Sequence, residues 1–219
     1  VYYGTGTAAG SSAKQDPFVR AVDISSGELV WETSYKAATY SGLLYHDGEL
    51  YVQRLSQLHI LDSDTGSERE SHPFETGIGG FVEFDDTLYG IRGDVYAFDL
   101  SSNEPEYTES VGRRPNSWIA ATDRHLYAGD DDGWVDAYDR RTGEREWEAR
   151  VGAGVRDRPA VTDEYVWAVD QDTVYGLDRD SGDIVYESQE DYVSTPIAID
   201  DVVVLVIRGD AQAYRVELA

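Results

Sequence analysis

The 219-residue sequence contains no cysteine, no methionine and only two lysines. Without cysteine the chain cannot form disulfides, thiolate metal sites or a cysteine nucleophile. Because translation starts at methionine, we expect an upstream segment before Val1, such as a signal peptide or an anchor. No apolar run approaches the roughly 20 residues of a membrane span. The sequence therefore predicts no direct membrane insertion of this chain.

Positive charge is scarce. The sequence has 18 Lys and Arg residues against 43 Asp and Glu residues, which gives a formal net charge of −25. A phosphate backbone needs a basic footprint, so the charge excludes nucleic acid as the expected partner. Aromatic residues make up 12% of the chain and hydrophobic residues 41%. The acidic residues are therefore expected on the surface of a folded core and do not indicate disorder.

An acidic surface that is poor in lysine is typical of proteins from halophiles. At molar salt the Debye length falls to about 3 Å, so that crowded carboxylates repel each other little and keep the protein hydrated. The composition therefore indicates a halophilic source, and we interpret it as haloarchaeal. An ordinary acidic protein is the alternative.

One residue pattern recurs along the chain. Ala137, Asp139, Gly143 and Trp147 form the pattern Ala-x-Asp-x3-Gly-x3-Trp, which returns unchanged at 21–31. Its aspartate recurs at separations of 39, 37, 40 and 39 residues, and a second series of aspartates keeps a similar step. The first series is Asp23, Asp62, Asp99, Asp139 and Asp178, and the second is Asp47, Asp85, Asp123, Asp163 and Asp200. Two series of aspartates that recur at nearly the same spacing indicate internal duplication.

Each repeat has the pattern of four short antiparallel strands separated by turn residues. The clearest repeat predicts strands near 159–161, 165–169, 174–177 and 184–186, and no segment has sustained helical periodicity. Four-stranded units of about forty residues predict an all-β fold, a β-propeller. We expect about six blades, or seven or eight if upstream sequence is missing. The prediction is one domain, 1–219, with a partial first blade at 1–34, repeats near 39–74, 78–111, 115–151 and 156–190, and a partial last blade at 194–216.

The repeated pattern resembles the tryptophan-docking repeat of the quinoprotein (PQQ-like) β-propeller superfamily over nearly the whole chain. The superfamily includes dehydrogenases that depend on PQQ and calcium, and non-enzymatic binding modules such as an outer-membrane assembly lipoprotein. The dehydrogenases have eight blades, a vicinal disulfide and an Asp base near calcium. Because this chain has no cysteine and too few blades, the resemblance implies the non-enzymatic type. No catalytic residue, no PQQ, no calcium and no other metal is expected.

We interpret the repeated residues as contacts between blades. A small residue leaves room for the neighbouring blade, glycine tolerates positive φ, and an indole can fill the wedge between two sheets. The predicted structural positions are Ala21, Asp23, Gly27, Trp31, Asp62, Gly66, Asp99, Ala137, Asp139, Gly143, Trp147, Asp178 and Gly182.

Basic residues concentrate in two kinds of connection that share one face of a propeller. The connections between blades and between the second and third strands carry Lys14, Lys36, Arg54, Arg92, Arg113, Arg114, Arg156, Arg158 and Arg208. In so acidic a protein these residues are a candidate binding face for an anionic ligand or an acidic partner. The arginines are the candidate site residues, and the Gly-, Ser- and Ala-rich loop at 4–18 lies on the same predicted face. Local pairing with aspartates is the alternative.

The remaining motifs give weaker indications of function. The segments 62–66, 178–183 and 130–133 look like the start of calcium loops, but they lack a full set of oxygen ligands, so we interpret them as turns. The four histidines, His46, His59, His72 and His125, fall in different repeats without metal-ligand spacing.

The sequence thus predicts a non-enzymatic scaffold that recognises or assembles proteins, outside the cell or at its surface and anchored through an upstream segment. The partner is expected to be a protein. Two other functions stay open, a PQQ- or metal-dependent redox enzyme and a purely structural domain of a larger cell-surface protein. A cytoplasmic location is the alternative to the surface.

Overall fold

The computed structural model describes residues 1–5, 18–35, 40–54, 56–74, 80–91, 93–112, 119–155, 157–189, 196–199, 202–207 and 210–215. Twenty-two β-strands account for the regular structure of these residues. No helix in these ranges has the length and apolar character needed to cross a membrane. The chain divides into two compact units, 1–78 and 79–219.

The first unit contains two antiparallel sheets. The strands of the first sheet are β1 (Tyr2–Thr5), β2 (Phe18–Val22) and β3 (Leu29–Ser34). Those of the second are β4 (Tyr40–His46), β5 (Glu49–Arg54), β6 (Gln57–Asp62) and β7 (Glu68–Pro73). In both sheets the strands lie side by side in chain order, as expected for a meander.

The second unit contains four antiparallel sheets. The third sheet has β8 (Gly80–Phe84), β9 (Thr87–Ile91), β10 (Asp94–Asp99) and β11 (Glu104–Ser110). The fourth has β12 (Ala120–Ala121), β13 (His125–Gly129), β14 (Trp134–Asp139) and β15 (Arg145–Arg150). The fifth has β16 (Ala160–Val161), β17 (Tyr165–Asp170), β18 (Thr173–Asp178) and β19 (Ile184–Gln189). The sixth has β20 (Ile197–Ile199), β21 (Val202–Ile207) and β22 (Asp210–Arg215).

These sheets confirm the predicted all-β class and the four-stranded antiparallel blades. We call the first strand of a four-stranded sheet, and β20, the inner strand. The last strand of a four-stranded sheet, and β3, is the outer strand. The assignment of 1–219 to a single domain stays a prediction.

The core of the four-stranded sheets lies in their two middle strands. Every residue of β13 is buried, and four of the six residues of β14 are buried, whereas β15 buries only Trp147 and Ala149. Since neighbouring sheets cover both faces of the middle strands, their sequences are continuous apolar runs. The buried clusters accordingly join two sheets each, as where Tyr127 and Val135 pack with Val166 and Leu177.

The turn before the outer strand has the same construction in five sheets. The side-chain Oδ1 of Asp139 accepts hydrogen bonds from the backbone N–H groups of Arg141 and Thr142, at 2.9 and 3.0 Å. The N–H of Gly143 donates to the Asp139 carbonyl at 2.8 Å, and Gly143 has a φ of 76°. Short polar side chains bond their own backbone in this way and stabilise turns. The same Asp bonds recur at Asp23, Asp62, Asp99 and Asp178.

A β-bulge follows this turn at the same place in each of these five sheets. The outer strand carries one extra residue, so that the residue just after the bulge lies opposite a small residue in most sheets; Trp147, for instance, pairs with Ala137. The register shifts at Ala21/Val22, Ile60/Leu61, Ala97/Phe98, Ala137/Tyr138 and Gly176/Leu177. A bulge twists the strand and re-aims a side chain, here the ring that docks on the next sheet.

The docked rings lie on the turn glycines of the following sheet. In the first unit Trp31 packs on Gly66, where a Cβ would overlap the ring, and its Nε1 donates to the Ser63 carbonyl at 2.8 Å. In the second unit Trp147 packs on Gly182 and donates to the Arg179 carbonyl at 3.1 Å. Glycine is therefore required at these turns for its left-handed φ and for the approach of the ring.

Candidate functional site

A cavity of about 580 Å³ lies among the inner strands of the second unit. The side chains that line it are small or medium-sized, and they come from four sheets and from the connections that lead into them. They are Val82, Ala120, Ala121, Asp157, Arg158, Pro159, Ala160, Val161, Pro196, Ile197 and Ala198. The inner strands β12 and β16 are only two residues long and are rich in alanine. Their small side chains leave room for this concave surface.

The lining of this cavity offers little chemistry for catalysis. Asp157 and Arg158 are its ionisable side chains, and they are neighbours in the connection that leads into β16. Neither a nucleophile beside a base nor a cluster of oxygen ligands lies among the described lining residues, whereas covalent catalysis or a metal would need one of these. The surface can bury apolar side chains and place one cation and one carboxylate at its edge.

The seven candidate arginines are only partly described. Arg92, Arg113, Arg114, Arg156 and Arg208 lie outside the described residues, as do Lys14, Lys36 and most of the loop at 4–18. Arg54 ends β5 in the first unit, with its guanidinium 4.7 Å from the centre of the Tyr35 ring. Arg158 lines the cavity of the second unit. The basic binding face as a whole stays a prediction.

A second cleft, of about 560 Å³, opens at the turns of the third and fourth sheets, and Arg140 lies in it. The Arg140 guanidinium donates to the Asp123 carbonyl at 3.1 Å and to the Tyr89 hydroxyl at 3.2 Å. It is also 3.6 Å from a carboxylate oxygen of Asp85 and lies over the Phe84 ring at 4.9 Å. Through these contacts the Arg140 side chain holds the third and fourth sheets together.

The same arginine clamp recurs one sheet further on. Arg179 follows its turn aspartate as Arg140 does, and it donates to the Asp163 carbonyl at 3.2 Å and to the Asp123 carboxylate at 2.6 Å. Sequence reasoning missed both clamps. The available signal was an arginine directly after the repeated aspartate in two repeats, combined with acids in the second aspartate series.

His125 is another residue whose role the sequence concealed. Its ring is fully buried, with Nε2 2.6 Å from a Glu146 oxygen and Nδ1 2.9 Å from the Tyr127 hydroxyl. The hydrogen bond from His125 lowers the pKa of Glu146 below its ordinary value. Thr122 bonds the backbone of His125 and not the ring. The histidine therefore ties β13 to β15 rather than serving a nucleophile.

The acidic segments that look like calcium loops are turns in which the carboxylates hold the backbone. Asp62 accepts from its own turn and from Arg69, and the Arg69 hydrogen bond is the largest cause that lowers the pKa of Asp62 to about 2. Asp130 is buried, and its Oδ1 accepts from the N–H groups of Asp132 and Trp134 at 3.0 and 2.8 Å.

The solved structures that are similar to this chain include the following two. One is BamB from Moraxella catarrhalis, with 18% sequence identity and a TM-score of 0.70 over 90% of this chain. The other is the computationally designed protein Ika8, with 14% identity and a TM-score of 0.75 over 94% of this chain and 70% of that one. This chain covers 66% of the length of the Moraxella protein. At these identities the likeness shows the fold alone, that of a β-propeller.

Sequence comparison gives two further results. No curated protein sequence matches the chain. The profile of one protein family, described as outer membrane protein assembly factor BamB, matches residues 91–217. The match confirms the resemblance to PQQ-like repeats. Because it covers more than half of the 219 residues, the chain belongs to the BamB family of PQQ-like β-propeller proteins.

Proposed function

We propose that this chain is a non-enzymatic scaffold that recognises a partner protein at the inner-strand cavity of residues 79–219. The observation that carries the proposal is the lining of that cavity, which is alanine, valine, proline and isoleucine with Asp157 and Arg158 at one edge. Such a surface suits an inserted peptide segment, since apolar side chains gain from burial and a single charge fixes the orientation.

The chemistry of the partner follows from charge. The chain is strongly acidic overall, but the connections that precede β12 and β16 carry Arg113, Arg114, Arg156 and Arg158. An acidic segment of the partner would be attracted to these connections and repelled elsewhere. The other proposed members of the binding face are Arg54, Arg92 and Arg208.

The wider setting is part of the same proposal. Six sheets support a six-bladed propeller, in which the first and sixth sheets each take one further strand. The family description names an assembly factor of the outer membrane, and an assembly factor acts by binding other proteins. This supports a place at the cell surface. The excess of acidic residues supports a halophilic source.

A crosslinking pull-down in molar salt tests the proposal. The source cells would supply the partner, and the baits would be the wild type, a variant with Arg113, Arg114, Arg156 and Arg158 changed to serine, and the single variant Arg158→Ser. Arg150→Ser is the matched control, because Arg150 ends the outer strand β15 and lies against Trp134. We expect one specific partner that the control retains and both test variants lose.

Other outcomes would favour the alternative functions. If all baits recover the same proteins or none, the cavity is not a protein-recognition site. A quinone absorbance in the purified protein, or stabilisation by calcium, would then support a redox enzyme. A structural domain would be supported if the chain occurs only within a longer cell-surface protein and has no partner.

A further inference from the structure

The outer strands are edge strands, and most of them are protected against pairing with another strand. Exposed edges invite strand addition, and proteins usually block them with charge, proline or a bulge. At the bulge, three of the five outer strands carry charged residues or proline, and these pairs are Glu68–Arg69, Pro105–Glu106 and Arg145–Glu146. Their edges are therefore unfavourable for an apolar partner strand.

The outer strands β3 and β19 lack this protection. The bulge residues of β3 are Leu29 and Val30, which are 55% and 59% exposed, against 44% for both Ile184 and Val185 of β19, and Ile24 in the turn before β3 is 83% exposed. We call Ile24, Leu29 and Val30 the β3 patch. Single exposed aliphatic side chains are common on protein surfaces, but a group of them in one turn and the strand that follows it marks an interaction surface more often than scattered residues do.

The backbone beside the β3 patch is open for hydrogen bonding. Val1 and Val22 exchange two backbone hydrogen bonds, at 2.9 and 3.0 Å, so the backbone of Val22 points towards β1. The backbone N–H and C=O groups of alternate residues in a strand point the same way. The backbone groups of the β2 residues that pair with Glu32 and Ser34 therefore also point towards β1. The N–H and C=O groups of Glu32 and Ser34 therefore point to the outer edge, where no further strand pairs among the described residues.

The charges around the edge select the partner. Glu28 and Glu32 flank the β3 patch, and Arg20 of β2 is held in an ion pair with Glu32 at 2.5 Å. A second copy of this chain would bring more negative charge and be repelled. We propose that the outer edge of β3 is a strand-addition site for an extended segment of a partner protein, rich in lysine or arginine and with aliphatic residues at alternate positions. The inference does not depend on the cavity.

A synthetic peptide of alternating lysine and valine is the probe. Its matched counterpart has glutamate in place of lysine. Hydrogen exchange would be measured for each backbone amide of the protein, at the lowest salt concentration at which the protein stays folded. We expect the lysine peptide to slow exchange at Glu32 and Ser34 at least tenfold, and the glutamate peptide to have no effect there.

Two variants test the site without disturbing the fold. The double change Leu29→Arg with Val30→Glu copies the pair found naturally at the same position of β15, and Ser34→Pro removes one outward N–H group. Both should abolish the protection. The matched control places Arg and Glu at Ile184 and Val185 of β19, and it should leave the protection of β3 unchanged.

The proposal is wrong if the lysine peptide protects no amide of β3, if the glutamate peptide protects β3 equally, or if the protection survives both variants while thermal unfolding shows them folded. Should one variant fail to fold, the other decides.

Discussion

Arg140 and Arg141 are neighbours in one turn and have opposite environments. The Arg140 side chain is 11% exposed and contacts Asp85, Tyr89 and the Asp123 carbonyl, whereas Arg141 is exposed. A largely buried cation that bridges two sheets contributes through packing and hydrogen bonds as well as through charge. An exposed cation contributes little.

The pair gives a matched prediction. Arg140→Ala should lower the free energy of unfolding by about 2 kcal/mol, since it removes two hydrogen bonds and the packing of a largely buried side chain. Arg141→Ala should change it by less than about 0.5 kcal/mol. Denaturant unfolding of both variants in the same molar salt measures the difference, and equal values would contradict the clamp.

Trp147 supports a second prediction at this scale. The ring is buried, packs on Gly182 and bonds the Arg179 carbonyl. Trp147→Ala should therefore cost about 3 to 5 kcal/mol of unfolding free energy, the range for a large buried aromatic. Trp134→Ala, a change of the same size at a partly exposed indole, is the control and should cost clearly less.

At the scale of elements, the turn before the outer strand links fold stability to pH. Hydrogen bonds from the Ser25 hydroxyl and the backbone of Ser26 and Ser25 hold the pKa of Asp23 at about 2. The backbone N–H of Ser102 is the largest cause that lowers the pKa of Asp99, and that of Ser181 does the same for Asp178. A lowered pKa means that these carboxylates stabilise the fold when ionised.

The sign of the resulting pH dependence follows. The stabilisation is complete above the ordinary aspartate pKa of about 4 and is lost as the pH falls towards about 2. Asparagine keeps the accepting oxygen but does not titrate, so Asp23→Asn should lose less unfolding free energy than the wild type between these pH values. Asp64→Asn removes the same charge beside another turn and is the control. A parallel pH profile for all three proteins would contradict the assignment.

The elements also show how far the sequence alone could predict the structure. The Asp of each of the five turns lies four residues before a Gly, or before Asn103 in the third sheet, so the turns and the antiparallel strands could be predicted from local chemistry. The clamp of Arg179 on Asp123 joins residues 56 positions apart, and no local pattern marks such a pair. The sequence did not predict the β-bulges. A bulge shifts the alternation of apolar and polar residues by one position, and short strands that are apolar on both faces have no such alternation to shift.

The candidate site was less predictable than the fold. The candidate basic residues are defined by the kind of connection that they occupy. Of the seven arginines, only Arg54 and Arg158 lie in the described part of the chain. The inner-strand cavity depends on inner strands from four sheets meeting around one space. Two of these strands, β12 and β16, are only two residues long, and each taken alone resembles loop sequence.

For the whole molecule, the charge gives the last prediction. A net charge of −25 on 219 residues opposes compaction unless ions screen it. The Debye length is about 10 Å at 0.1 M salt and about 3 Å at 1 M, so the melting temperature should rise steadily over this range. Sucrose at equal osmolality is the control and should give a smaller rise. Maximum stability at low salt would contradict the halophilic interpretation.

The docked rings have a consequence for how such a molecule can change during evolution. Trp31 rests on Gly66 and Trp147 on Gly182, each thirty-five residues ahead. The first and fourth repeats contain both a turn glycine and a tryptophan, so each of them carries both halves of the contact, one for each neighbour, whereas the second repeat has Glu70 at the position of the ring. Duplicating a unit that carries both halves would recreate the same contact at the new junction. Proteins built on this rule can gain a blade in a single genetic event, without first acquiring compensating substitutions.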